Sequence, residues 1–317
     1  MEVVYYILKM CLCFFVPLLV VAIGGLYAEK SGVLNIALEG IMVMGAFCGI
    51  LFMHFMQVYI QGQLLLILAM IVSMIAGGLF TLLHAFASIS LKADQTISAT
   101  ALNTFAAAFA IFVARATVGQ QQVYFDNTFR INDIPLLSDI PVIGDIFFQD
   151  AYITTFIGIA ILIVTVIVFK KTRYGLRLSS CGENPQAADS LGINVYKVRY
   201  TSVLISGMLG GLGGIIYVVP IVNNFGGDVA GYGFLAMSVL ILGQWKPMRI
   251  FVAALFFSFM KTIASAYQSV AFLANLGLPD MVYKCLPYVI TLIVLAVASK
   301  NSAGPKAAGQ PYDQGKR

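Results

Sequence analysis

Glu39 stands inside an apolar run, residues 33–53, with Asn35 four positions before it. A carboxylate in such a run is costly unless it is paired or faces water. The i,i+4 spacing puts both side chains on one face of a helix, which makes Asn35 the expected partner of Glu39. Two roles fit the pair. It staples a broken helix to its neighbours, with Glu39 capping free backbone N–H groups, or it lines or gates a path through a membrane. Discontinuous helices near the bilayer midplane are a recurring device for such paths.

A second constellation lies in residues 170–200. Lys170, Lys171, Arg173, Arg177, Lys197 and Arg199 are six of the chain's 19 Lys and Arg residues. Within this segment Glu183-Asn184-Pro185 has the form of a helix start. Asn184 is a capping residue, and Pro185 suits the first turn because its missing N–H would be unpaired there. Ala187, Ala188 and Gly192 follow, and Gly192 is placed to end the helix. The expectation is a short polar helix held between two apolar ones. Its cationic flanks keep it on the cytoplasmic side of a membrane.

Other chemistries find no support. No G-x-x-x-x-G-K-[ST] phosphate loop occurs, and neither do HExxH, a nucleophile elbow or paired catalytic carboxylates. His54 and His84 are isolated, which argues against a zinc site. Cys11, Cys13, Cys48, Cys181 and Cys285 form no CxxC pair and read as small packing residues. No cofactor or metal is expected on this chain, and it is not expected to be an enzyme.

The elements around these residues are those of a membrane protein. Sixty per cent of the 317 residues are hydrophobic and 10% are charged, with mean hydropathy +0.91. Soluble domains carry roughly 25% charged residues. The net charge of +5 follows the topology rule rather than nucleic-acid binding. Apolar runs fall at about 6–27 (with Pro17 inside), 33–53, 64–91, 97–118, 151–169, 201–222, 250–270 and 286–299, with a run of about ten residues at 234–243. The N-terminal run reads as a first span rather than a cleaved signal. Lys261 and Arg115 lie in spans and read as snorkelling stems. In the sixth run Ser206, Gly207, Gly210, Gly211 and Gly214 allow close helix packing. The 234–243 run is too short for an ordinary span, so it is tilted, joined to its flanks or re-entrant.

Counting gives about nine spans, within a range of 8–10, with the N-terminus outside and the C-terminus inside. Residues 119–150 carry five Asp against Arg130 alone and form an outer loop. Its apolar patches, 134–137 and 140–143, are expected along the outer membrane surface. Residues 271–283 are also placed outside. The expected organisation is a transmembrane domain over 1–299, with 170–200 as its cytoplasmic coupling loop, and a cytoplasmic tail over 300–317. The tail's low apolar content predicts disorder.

Two stretches carry a family resemblance. Tyr27 to Gly45, YAEKSGVLNIALEGIMVMG, resembles the early E-[KR]-S-G-x-x-N-[IL]-x-x-E-G-x-M segment of bacterial ABC-importer permeases of the ribose and branched-chain amino acid type. The loop YGLRLSSCGENPQAADSLGINV resembles the cytoplasmic loop of the same permeases, whose E-A-A-x-x-x-G element meets the ATPase. Gln186 stands where that pattern has Glu. The ending Pro311-Tyr312-Asp313-x-Gly315-Lys316-Arg317 makes the chain most similar to the shorter permease of nucleoside importers.

The resemblance implies an all-α, type II importer-like permease in the bacterial cell membrane, with a discontinuous early helix and a cytoplasmic coupling helix. It implies a second homologous permease subunit, ABC ATPase subunits that hydrolyse ATP, and an extracellular substrate-binding lipoprotein. Gly182, Glu183, Asn184, Pro185, Ala187, Ala188 and Gly192 would meet the ATPase. A nucleoside is neutral, so Asn35, Glu39, Asn103, Ser206 and Asn223 are the candidates for its path or gate. Simple sugars and branched-chain amino acids are the alternative cargoes. An ion-coupled carrier using Glu39 is the alternative mechanism.

Overall fold

In the computed structural model, residues 2–126, 129–133, 138, 144, 147–267, 279–298 and 304–314 are described. Among them, seven helices are long and apolar enough to cross a membrane. They are α1 (Glu2–Lys30), α2 (Leu38–Met56), α3 (Gln63–Ala85), α4 (Gln95–Val118), α5 (Ile153–Lys171), α8 (Val195–Ile221) and α10 (Pro247–Ala266). A π-helical turn, Phe86–Ser90, extends α3. Two polar-segment helices, α6 (Arg173–Glu183) and α7 (Pro185–Ser190), lie between α5 and α8. A short apolar helix α9 (Tyr232–Leu242) precedes α10, and α11 (Asp280–Ala298) follows it. The expected nine apolar segments are therefore seven long helices and two with shorter apolar stretches.

Local chemistry sets several boundaries. The Asp94 carboxylate accepts from Thr96 N at 2.8 Å and Ile97 N at 3.0 Å to start α4, and Gly119, with φ 78°, ends it. Asn194 starts α8 by accepting from Lys197 N at 2.9 Å. Helix α1 runs continuously through Pro17.

Helix α8 is the hub, packed by α1, α2 and α3. The glycines allow this. A Cβ on Gly211 would run into the Ser73 carbonyl and press on Gly77, and one on Gly45 would strike Gly211 itself. The backbones of α2 and α3 thus rest on α8 without intervening side chains. In a lipid setting, dispersion and close contact replace the missing hydrophobic drive between helices.

The ends of the bundle differ. At one end a two-stranded antiparallel ladder pairs β1 (Val123–Tyr124) with β2 (Asn224–Phe225), and Lys9 approaches Asp150 at 3.5 Å. At the other end lie α6, α7 and the segment 304–314.

Two expectations are corrected, the single polar helix and the disordered tail. Residues 173–183 form a helix in their own right, docked through Leu178 and Cys181, which are fully buried. Residues 280–283 open α11, and residues 271–278 lie outside the described residues. Residues 304–314 are not disordered: Ala307 and Tyr312 are 5% and 4% exposed, and the backbone is hydrogen-bonded to the bundle. Composition was the wrong guide there, because a few well-placed contacts order a short strap. The apolar patches 134–137 and 140–143, like residues 300–303 and 315–317, lie outside the described residues.

Candidate functional site

Between α1 and α2 the helix is broken. Gly32, with φ 94°, turns the chain back, and Val33 N donates to Ala28 O at 3.2 Å. The stretch that follows has no helical partners, so side chains from α3 and α4 satisfy its backbone. Leu34 N donates to Gln95 Oε1 at 2.7 Å. Leu34 O accepts from His84 Nε2 at 2.9 Å, which leaves His84 Nδ1 to accept from Ser98 Oγ at 3.2 Å. Asn103 Nδ2 donates to Ile36 O at 3.0 Å, and Asn103 Oδ1 accepts from Gly40 N at 2.7 Å.

Asn35 and Glu39 do not pair. Asn35 lies before α2, off its helical register, and donates through Nδ2 to Ser206 Oγ at 2.8 Å. Its buried Oδ1 has no partner among the described residues. Glu39, in the first turn of α2, reaches the start of α9 instead. Its two oxygens accept from Gly231 N at 2.9 Å and Gly233 N at 2.6 Å. These are orphan donors at a helix start, where the helix dipole also favours negative charge. The fit demands glycine, since a Cβ on Gly233 would collide with the Glu39 backbone.

Ser206 sits eleven residues into α8, about 16 Å along it. Asn35, Glu39, Asn103 and Ser206 meet around one break. Asn223 does not join them; it is exposed, and its carbonyl accepts from Phe125 N at 3.2 Å beside the β-ladder. Lys261 Nζ lies 5.8 Å from the centre of the Tyr232 ring rather than reaching for an interface. Arg115 is exposed in the last turn of α4.

At the polar end, Asn184 Oδ1 accepts from Ala187 N at 3.0 Å, Pro185 opens α7, and Gly192, with φ 78°, turns the chain away. Gly182, Pro185 and Ala188 are buried against the bundle. Glu183, Asn184, Gln186, Ala187 and Gly192 are exposed. Leu191, which sequence reading passed over, is 81% exposed at the tip. An apolar residue beside the terminating glycine of a polar helix was the available signal. Sequence reading also missed Gln95 and His84, as well as a tie between buried Glu29 and Trp245, whose Nε1 donates to Glu29 Oε2 at 2.6 Å. The five cysteines are free, and no group of three or more metal-ligating side chains occurs among the described residues.

The family described as "Branched-chain amino acid transport system / permease component" matches residues 7–295. The chain is 39% identical to the guanosine ABC transporter permease protein NupQ of Bacillus subtilis, over 100% of this chain and 99% of that one. It is 39% identical to the nucleoside ABC transporter permease protein NupC of Lactococcus lactis, over 95% and 94%. It is 29% identical to the putative glucose ABC transporter permease protein TsgC13 of Haloferax volcanii, over 94% of each. No solved structure matches it. The chain is a multi-pass membrane protein that belongs to the branched-chain amino acid transport system / permease component family.

Proposed function

We propose that this chain is a transmembrane subunit of an ATP-binding cassette importer for nucleosides, forming one half of the translocation path. The observation that carries the reading is α7: a capped helical knob with an exposed leucine tip, on a chain whose sequence has no phosphate-binding loop. Energy must then come from a partner, and the knob is where it is delivered. The end of the bundle that holds α7 faces the cytoplasm, where its cations are retained, and the C-terminus is on that side. The chain itself binds no cofactor and performs no catalysis.

The partners are a second homologous permease, ABC ATPase subunits and an extracellular lipoprotein that delivers substrate to the 119–150 side. Two full-length relatives named for guanosine and nucleoside transport support the cargo assignment. The break between α1 and α2 supports the path assignment. Its uncharged Asn35, Asn103 and Ser206 suit a neutral cargo, and Glu39 is held by backbone amides.

Radiolabelled uptake in a strain lacking this chain, with and without the chain restored, tests the cargo. Restored nucleoside uptake, competed by unlabelled nucleosides and not by glucose or leucine, is expected. Competition by glucose alone would move the assignment to simple sugars, in line with the TsgC13 likeness.

A further inference from the structure

The segment 304–314 ties together parts of the bundle that are far apart in sequence. Ala307 N donates to Gly182 O at 2.9 Å, at the end of α6, and Gln314 Nε2 reaches Asp189 Oδ1 of α7 at 3.3 Å. Gly309 N donates to Gly32 O at 3.2 Å, at the turn that opens the break. Tyr196 OH donates to Tyr312 O at 3.4 Å, and their rings lie 5.4 Å apart. Lys92 Nζ pairs with Asp313 at 3.0 Å, and Gly304 lies against the Trp245 ring.

Arg199 is the clasp. Its side chain is 1% exposed and has no carboxylate partner among the described residues. Nε donates to Ser31 O at 3.2 Å, Nη1 donates to Gln310 O at 3.1 Å, and the guanidinium lies 5.9 Å from the Tyr312 ring centre. Nη2 has no partner among the described residues. A buried cation neutralised only by carbonyl dipoles and a ring is poor stabilising chemistry. What it does achieve is geometric, since the planar fork holds the α1–α2 turn and the strap in one fixed relation.

We propose that residues 304–314, clasped by Arg199, are the mechanical link that carries displacement of α7 to the α1–α2 break. This rests on the importer reading above and adds to it a route by which movement of the knob reaches the path. The strap bonds to α6 and α7 at one side and to Gly32 at the other, so movement of the knob pulls on the turn from which Asn35 and Glu39 hang. Arg199 is a positioning residue here, acting through the strap and Ser31 rather than on cargo.

The test uses the full importer, with its ATPase, partner permease and binding protein, reconstituted in proteoliposomes and assayed for nucleoside uptake and ATP hydrolysis together. Truncation before Gly304 and Arg199→Ala are each expected to leave ATP hydrolysis within twofold of the parent while uptake per ATP falls at least tenfold. A merely structural role would change the amount of complex and not that ratio. If the truncated chain does not assemble, Ala307→Pro, which removes the N–H that bonds Gly182 O, is expected to lower the ratio at least threefold. An unchanged ratio in any assembled variant overturns the proposal. Absence of ATP-dependent uptake by the parent complex would instead count against the importer reading, whatever the variants do.

Discussion

The Glu39 carboxylate of α2 accepts the amide of Gly233, 194 positions away at the start of α9, at 2.6 Å, with Gly231 N on its other oxygen. The start of α2 and the start of α9 are thereby joined through one side chain. Glu39→Gln keeps one good acceptor and loses the charge facing the helix start. It is expected to lower stability by about 1–2 kcal/mol. Glu39→Ala leaves both amides without that acceptor and is expected to cost more. Thermal unfolding in detergent, beside uptake, checks the order parent, Gln, Ala. The same pair addresses ion coupling. Because Glu39 is committed to backbone amides, uptake should survive a protonophore as long as ATP is supplied.

The glycine contacts of α8 make a steric prediction. Gly211→Ala pushes a methyl group into the Ser73 carbonyl, which belongs to a backbone that cannot swing aside. A loss of about 1–3 kcal/mol is expected, as for overpacking elsewhere. Gly226→Ala is the control, since its Cβ would meet only Gln122 at 3.6 Å, an ordinary contact. Equal melting temperatures for the two variants would contradict the packing account.

Leu191 is the exposed tip of the knob, and replacing it touches little of this chain's own packing. Leu191→Glu should insert and melt like the parent yet fail to retain the ATPase on co-purification. Ala188→Arg acts differently. Ala188 is 2% exposed, so a bulky charge there is expected to disrupt α7 itself and lower the melting temperature as well. Parallel melting and pull-down measurements separate contact from support.

Much of this was readable in the sequence because long apolar runs and caps are local signals. Asn184-Pro185 announced α7, and the glycines of α8 announced close packing. The break was legible as polar residues in an apolar run, and so was one of the two roles offered for it, Glu39 as a cap on free amides. Its partner was not, because Gly231 and Gly233 lie 192 and 194 residues on, and no spacing rule spans that distance. Asn35 was misassigned for a related reason: the i,i+4 rule holds only inside one helix, and α2 starts at Leu38. The strap escaped because hydrogen bonds from a polar segment leave no trace in composition.

Cys181, on α6, gives a pH-dependent signature. Burial pushes its thiol above the usual range, partly offset by the nearby Arg199 charge. The reactive thiolate is therefore scarce near neutral pH and increases only as pH rises past the ordinary thiol range. Alkylation of the intact protein by N-ethylmaleimide should be slower at Cys181 than at the exposed Cys285 at pH 7.5, with the gap narrowing upon denaturation. Equal rates in the folded protein would show that α6 is not docked as described.

The most direct test of an energy input through α7 is to ask which side of the membrane its tip faces and what covers it. In a chain whose native cysteines have been replaced, Leu191→Cys is labelled with a membrane-impermeant maleimide in intact cells and in inside-out vesicles. The expected result is labelling from the cytoplasmic side only, with protection when the ATPase is bound. Labelling of intact cells from outside, or full labelling beneath a bound ATPase, would contradict the account.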